Sequence, residues 1–397
     1  MKTTKQILNY FFFTGFLTII SCTSKEKKAN AANEIVETIT AREESDTNTF
    51  SANAVTEIGK SINCIFQDKH ENYWFATNGD GVYRYSGKLL IRFTEKDGLC
   101  NDYVGTIQED DLGNIWFGTS FGVSKFDGRT FTTYVHNESL QLSTILKNEW
   151  KIEPGDLLFP AGEGVYRYHN NVFTYLLLPQ DDADTKYSSK SKIIKPYVDP
   201  LGRYWVYCTL KDRTGNIWFG TQTLGVCRFD VRLNDSSGSN RSEQGKLFTW
   251  FSEKGLSPPA VRGLFEDKNG NMWFGNNGYG LYRYDGKSLI NFTEEKGLSN
   301  PEFLSNSKAS GKPGPGTLAR VWTINEDIIG NIWIGTIDAG AWRYDGINLV
   351  NFTMKDGLTS NSVNTIYKDK KGELWFGSDG GGVCKFNGTT FTKFVAR

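Results

Sequence analysis

The chain has 397 residues, with 45 Lys and Arg against 45 Asp and Glu, a formal net charge of zero. It therefore lacks the long-range field that draws a protein onto nucleic acid, and no nucleic-acid partner is expected. Aromatic residues at 14% together with 42 Gly exclude a disordered or helical chain and point to a turn-rich, aromatic-packed all-β protein.

The first predicted element is an export signal. Lys2 and Lys5 precede an apolar run from Ile7 to Ile20, broken by Asn9, Thr14, Gly15 and Thr18. A spanning helix needs about 20 mostly apolar residues, so a signal peptide is the better reading. The run closes on Ser21-Cys22, which resembles the lipobox of bacterial lipoproteins. That resemblance implies a signal peptide over residues 1–21 and lipidation of Cys22. It also implies a lipid anchor to the bacterial cell envelope, on the periplasmic or surface side of the outer membrane. Residues 22–60 are polar and charged, with too few large apolar groups to fold alone, and read as a flexible tether.

From 61 to 397 one phrase recurs. Ile62 to Phe93, Val261 to Phe292, Val321 to Phe352 and Val363 to Phe394 are versions of the same unit. Its anchor is Trp74, Trp116, Trp218, Trp273, Trp333 or Trp375, with Leu158 standing where the third member lacks a Trp; the spacings are 42, 42, 60, 55, 60 and 42. Four short strand-like runs separated by turn residues fill each unit. In the last these are Val363 to Tyr367, Leu374 to Gly377, Gly382 to Phe386 and Thr390 to Val395. Four antiparallel strands in each of seven repeats predict a single seven-bladed β-propeller over 61–397.

The composite D-x-x-G-N-[IM]-W-[FI]-G-[TN], then G-[VL]-[CY]-R-[FY]-D, then F-T-x-x-x-G-L, resembles the two-component regulator propeller repeat. The resemblance implies a periplasmic sensor part of a hybrid histidine kinase or a stand-alone exported propeller. With no kinase segment after the repeats, signalling is expected to run through a partner. The third unit departs from the pattern around Pro154 to Phe159.

The recurrent Asp-x-x-Gly-Asn segment reads as a hairpin turn rather than a calcium loop, since one Asp per blade is too few carboxylates. A basic residue follows each anchor: Arg84, Lys125, Arg167, Arg228, Arg283, Arg343 and Lys385. Their stems are expected to pack between blades, with the charged heads reaching solvent or the turn Asp. The cysteines after Cys22 fall at positions too far apart for disulfides, Cys100 is the expected exposed thiol, and neither zinc nor any other metal or cofactor is expected.

The turn between the second and third strands and the link into the next blade are expected to open on one face, which is the candidate ligand face. Phe121, Asn277, Tyr279, Asp338 and Asp379 lie in these turns, and Arg262, Trp322 and Asn364 at the second position of inner strands. Aromatic, amide and carboxylate groups together suit a glycan or peptide. The expected function is binding of such a ligand, or of an envelope protein, as a non-catalytic accessory to envelope sensing or signalling. The alternatives are a structural scaffold and a propeller lyase or hydrolase. The units are similar to those of virginiamycin B lyase, a resemblance that implies a catalytic histidine and magnesium, but His70, His136 and His169 do not gather, and only His136 falls near the expected mouth.

Overall fold

The last repeat shows how a unit folds. Val363–Lys368, Leu374–Ser378, Gly382–Phe386 and Phe391–Lys393 pair antiparallel in chain order, because each β-branched and aromatic run is stopped by a turn carrying Gly or Asn. The computed structural model describes residues 53–135, 150–179, 205–234, 247–251, 256, 260–300 and 317–396. Among them the pattern yields seven sheets, six four-stranded and one three-stranded, in a seven-bladed β-propeller held by the compact unit Val55–Arg397. Cys22, the signal peptide and most of the tether lie outside the described residues, as do His136 and most of residues 178–196, 232–246 and 300–317, the extra lengths behind the wider anchor spacings.

The turn Asp is what makes the repeat repeat. In six blades its Oδ2 accepts the anchor indole N–H at 2.8–3.0 Å: Asp68 from Trp74, Asp110 from Trp116, Asp212 from Trp218, Asp267 from Trp273, Asp327 from Trp333 and Asp369 from Trp375. Its Oδ1 accepts the backbone N–H four residues on. Both oxygens are thus committed to the fold. The indole, buried and hydrogen-bonded, then packs on the next blade, as in Trp74 on Phe117 at 5.5 Å and Trp333 on Phe376 at 5.4 Å, geometry that favours aromatic pairs. The basic column adds the anchor indole as a partner to the expected solvent and turn carboxylate, the last met by Arg167 on Asp156 at 2.5 Å. Each sits directly across the strand pair from the anchor, and in six blades the cation lies over the indole at 3.9–5.8 Å, a cation–π contact.

Among the described residues the third blade shows three of the expected four strands. Its described strands are Leu157–Ala161, Gly164–His169 and Val172–Leu177. Leu158 pairs with Arg167 as the anchor Trp does elsewhere, but Leu has no indole to fill the gap to blade four. Trp150 fills it instead. Its ring packs on Phe219 at 5.5 Å and Phe229 at 5.3 Å, the counterparts of Phe117 and Phe126 around Trp74, and its N–H donates to Leu177 O. Residues 150–156 form no strand, so among the described residues the strand Leu157–Ala161 has a sheet partner on one side only, and Gln108 Nε2 donates to Leu158 O at 2.8 Å.

Blades one and seven meet without exchanging a strand. Tyr73 Oη donates to Asp369 at 2.7 Å, Lys370 N to Gln67 Oε1 at 3.0 Å and Gln67 N to Tyr367 Oη at 3.1 Å, while Trp375 and Phe75 share one apolar cluster.

Candidate functional site

A β-bulge recurs at the same place around the ring. In the inner strands Ile62–Gln67, Val104–Glu109, Val206–Lys211, Val261–Glu266, Val321–Glu326 and Val363–Lys368 the register slips between the first and third residues. The extra residue is left out of the ladder, and a bulge re-aims its side chain. Those residues are Asn63, Gly105, Tyr207, Arg262, Trp322 and Asn364. All six line an axial cavity of about 1090 Å³ to which every blade contributes.

Three consecutive blades build the most distinctive wall. The Arg262 guanidinium carbon lies 3.9 Å from the Tyr207 ring centre and 4.5 Å from that of Trp322, so the cation is stacked between two aromatic faces. Behind it Asn277 Oδ1 accepts from Trp322 Nε1 at 3.2 Å and from Arg320 Nε at 3.1 Å, and Arg320 Nη1 reaches Asp338 Oδ2 at 3.2 Å. Burial pushes Asp338 up from the ordinary carboxylate value despite Arg320, and pushes Arg262 down. Arg262 Nε and Asn364 Oδ1 are buried with no hydrogen-bond partner among the described residues.

Arg262, Trp322, Asn364 and Asp379 line the cavity. Asn277 and Asp338 stand one layer back and hold Trp322 and Arg320. Phe121 and Tyr279 are not brought in: Phe121 projects from its turn, 64% exposed, and Tyr279 packs against the apolar cluster between blades four and five. Tyr207 and Asn63 were missed, although they occupy the inner-strand position of Arg262 in blades four and one; extending the alignment to those blades would have found them. The turn and link do meet on one face, as in Asn78 N to Ser61 O and Asp379 N to Ser362 O.

All five described cysteines are free. Cys100 is partly buried rather than exposed, with its thiol pushed up by burial. Burial likewise pushes Cys64 up to about 11 and Cys208 to about 12, so neither is a thiolate nucleophile at neutral pH. His169 does not itself line the cavity but sits behind the lining carboxylate Asp156, with Nδ1 2.6 Å from Asp156 and Nε2 3.2 Å from Glu153. The magnesium that the lyase resemblance implies does not fit the described cavity residues: the lining carboxylates are committed, Asp156 to Arg167 and His169 and Asp379 to Ser61, and no cluster of His, Cys, Asp or Glu has metal-binding geometry among the described residues.

The two-component regulator propeller family matches residues 56–79, 98–121, 200–223, 255–278 and 357–380. A 52-residue stretch is 42% identical to Histidine kinase P4 of Formosa agariphila, covering 13% of this chain and 4% of the kinase. The extracellular domain of a putative hybrid two-component system of B. thetaiotaomicron is 18% identical, over 87% of this chain and 47% of that one, with a TM-score of 0.42. The chain thus spans under half the length of these two relatives. Virginiamycin B lyase from Staphylococcus aureus is 13% identical, over 86% of this chain and 98% of the lyase, with a TM-score of 0.54. The chain is a seven-bladed β-propeller related to two-component regulator propeller domains. The expectation that it does no chemistry is corrected to this extent: an enzyme shares this architecture over nearly its whole length.

Proposed function

We propose that the axial cavity is the working site of this propeller, and that a lyase- or hydrolase-type reaction on a small ligand held there is the reading to test first. The single observation behind the site is the ring of six in-register bulges, which aims variable side chains into the cavity from an otherwise repeated frame. The whole-length likeness to the lyase supports the reaction. Ligand recognition for a signalling partner is the second reading, supported by the family of the repeat. A thermal-shift screen of the protein against glycans, peptides and divalent metals tests the site, because a ligand of the native state raises its melting point. A shift that disappears in Trp322→Ala is the expected outcome, whereas a shift retained in that variant removes the cavity as the site. Incubating each hit with the protein and looking for eliminated or hydrolysed product then separates reaction from recognition.

A further inference from the structure

We propose that Arg262 is a receptor for a carboxylate carried by the ligand of the axial cavity, an assignment that rests on that cavity being the working site. Arg262 lines the cavity, and among the described residues no carboxylate acts on it and its buried Nε has no hydrogen-bond partner. The carboxylates in and behind the cavity wall already have partners, Asp338 in Arg320, Asp379 in Ser61 and Asp156 in Arg167 and His169. A largely buried cation without a counter-ion is costly, and the cost falls when an anion binds.

The geometry narrows the anion. Stacking between Tyr207 and Trp322, at 3.9 and 4.5 Å, fixes the guanidinium plane before any ligand arrives, so little ordering remains for binding to impose. A planar fork of N–H donors matches a planar carboxylate through two parallel hydrogen bonds. A phosphate dianion needs a second cation beside the first; Arg320 is paired with Asp338, and Lys211, the other cation in the lining, stands four residues along the strand from Tyr207, about 13 Å away. The Tyr207 and Trp322 rings beside the donors favour an organic acid over a free inorganic anion.

The test compares acids with their neutral counterparts on the full chain by calorimetric titration. One arm uses N-acetyl-alanyl-alanine and its C-terminal amide, the other glucuronate and glucose, so the source of the carboxylate is distinguished. In at least one arm the acid is expected to bind about tenfold or more tightly than the neutral compound, the effect of hydrogen bonds to charged groups. Arg262→Gln is expected to erase that preference. Because the acid–neutral comparison is made on the unaltered protein, instability of the variant does not obscure the answer. Equal binding of acid and neutral compound in both arms, or no binding of either acid, overturns the carboxylate assignment. Equal binding that is lost in Trp322→Ala leaves the cavity itself standing, whereas equal binding that survives that variant removes both.

Discussion

Glu71 occupies a position where other blades place Gly. Its φ is 66°, and Gly113, Gly215, Gly270, Gly330 and Gly372 hold the equivalent turn at φ 83–98°. A side chain with a β-carbon is strained in this left-handed region, which Gly enters freely. Gly215 and Gly270 have open space where a β-carbon would sit, so the difference lies in the backbone rather than in contacts. Glu71→Gly is expected to stabilise the protein by about 1 kcal/mol, read as a raised denaturant midpoint; a lowered midpoint would show that the Glu71 side chain contributes more than its strain costs. The same turn explains why the motif was legible. Asp, Gly, Asn and Trp are each demanded by one bond or one dihedral, so they recur in the letters. The bulge residues were only half legible, because Arg262, Trp322 and Asn364 differ in type and only their register position identifies them with Tyr207 and Asn63.

At the scale of the element, blade three shows why pattern alone goes astray. The strand alignment through Leu158 is correct in register, yet the aromatic that fills the gap comes from eight residues upstream, the spacing at which other blades place the inner-strand partner of the anchor, such as Phe66 and Tyr367. Trp150 meets Phe219, Phe229 and Phe248, an interblade role that periodicity does not encode. Trp150→Ala is therefore expected to destabilise the protein by about 3–5 kcal/mol, as removal of a buried Trp does, and comparably to Trp218→Ala. A loss below about 1 kcal/mol in urea unfolding would mean that the interblade gap closes without it. The basic column carries the complementary lesson. Its recurrence was visible, but its partner was not, because the register pairs each cation with the anchor indole one strand away.

Across the whole molecule the turn carboxylates couple stability to acid. Burial works to raise Asp110, Asp212 and Asp369, but hydrogen bonds from the anchor indoles and neighbouring groups outweigh it and hold all three below the ordinary carboxylate value. As the pH falls the unfolded chain takes up protons first. The stabilisation is thus complete above the unfolded value near 3.8, and is lost as the pH drops from there through the lower native values. Melting temperature is expected to fall along that acid limb, and to fall less steeply in Asp110→Asn. An equally steep limb in the variant would assign the acid sensitivity elsewhere.

The seam between blades one and seven bears on how the ring comes into being. Each of these blades takes all its strands from one continuous stretch of chain, so its sheet contacts are short-range and inexpensive in loop entropy. A blade can then acquire its sheet as soon as its own residues have left the ribosome, without waiting for a distant strand. Only the last docking is long-range. It joins Gln67 and Tyr73 to Tyr367, Asp369 and Lys370 across about three hundred residues of sequence, and it turns a growing stack of blades into a circle in one late step.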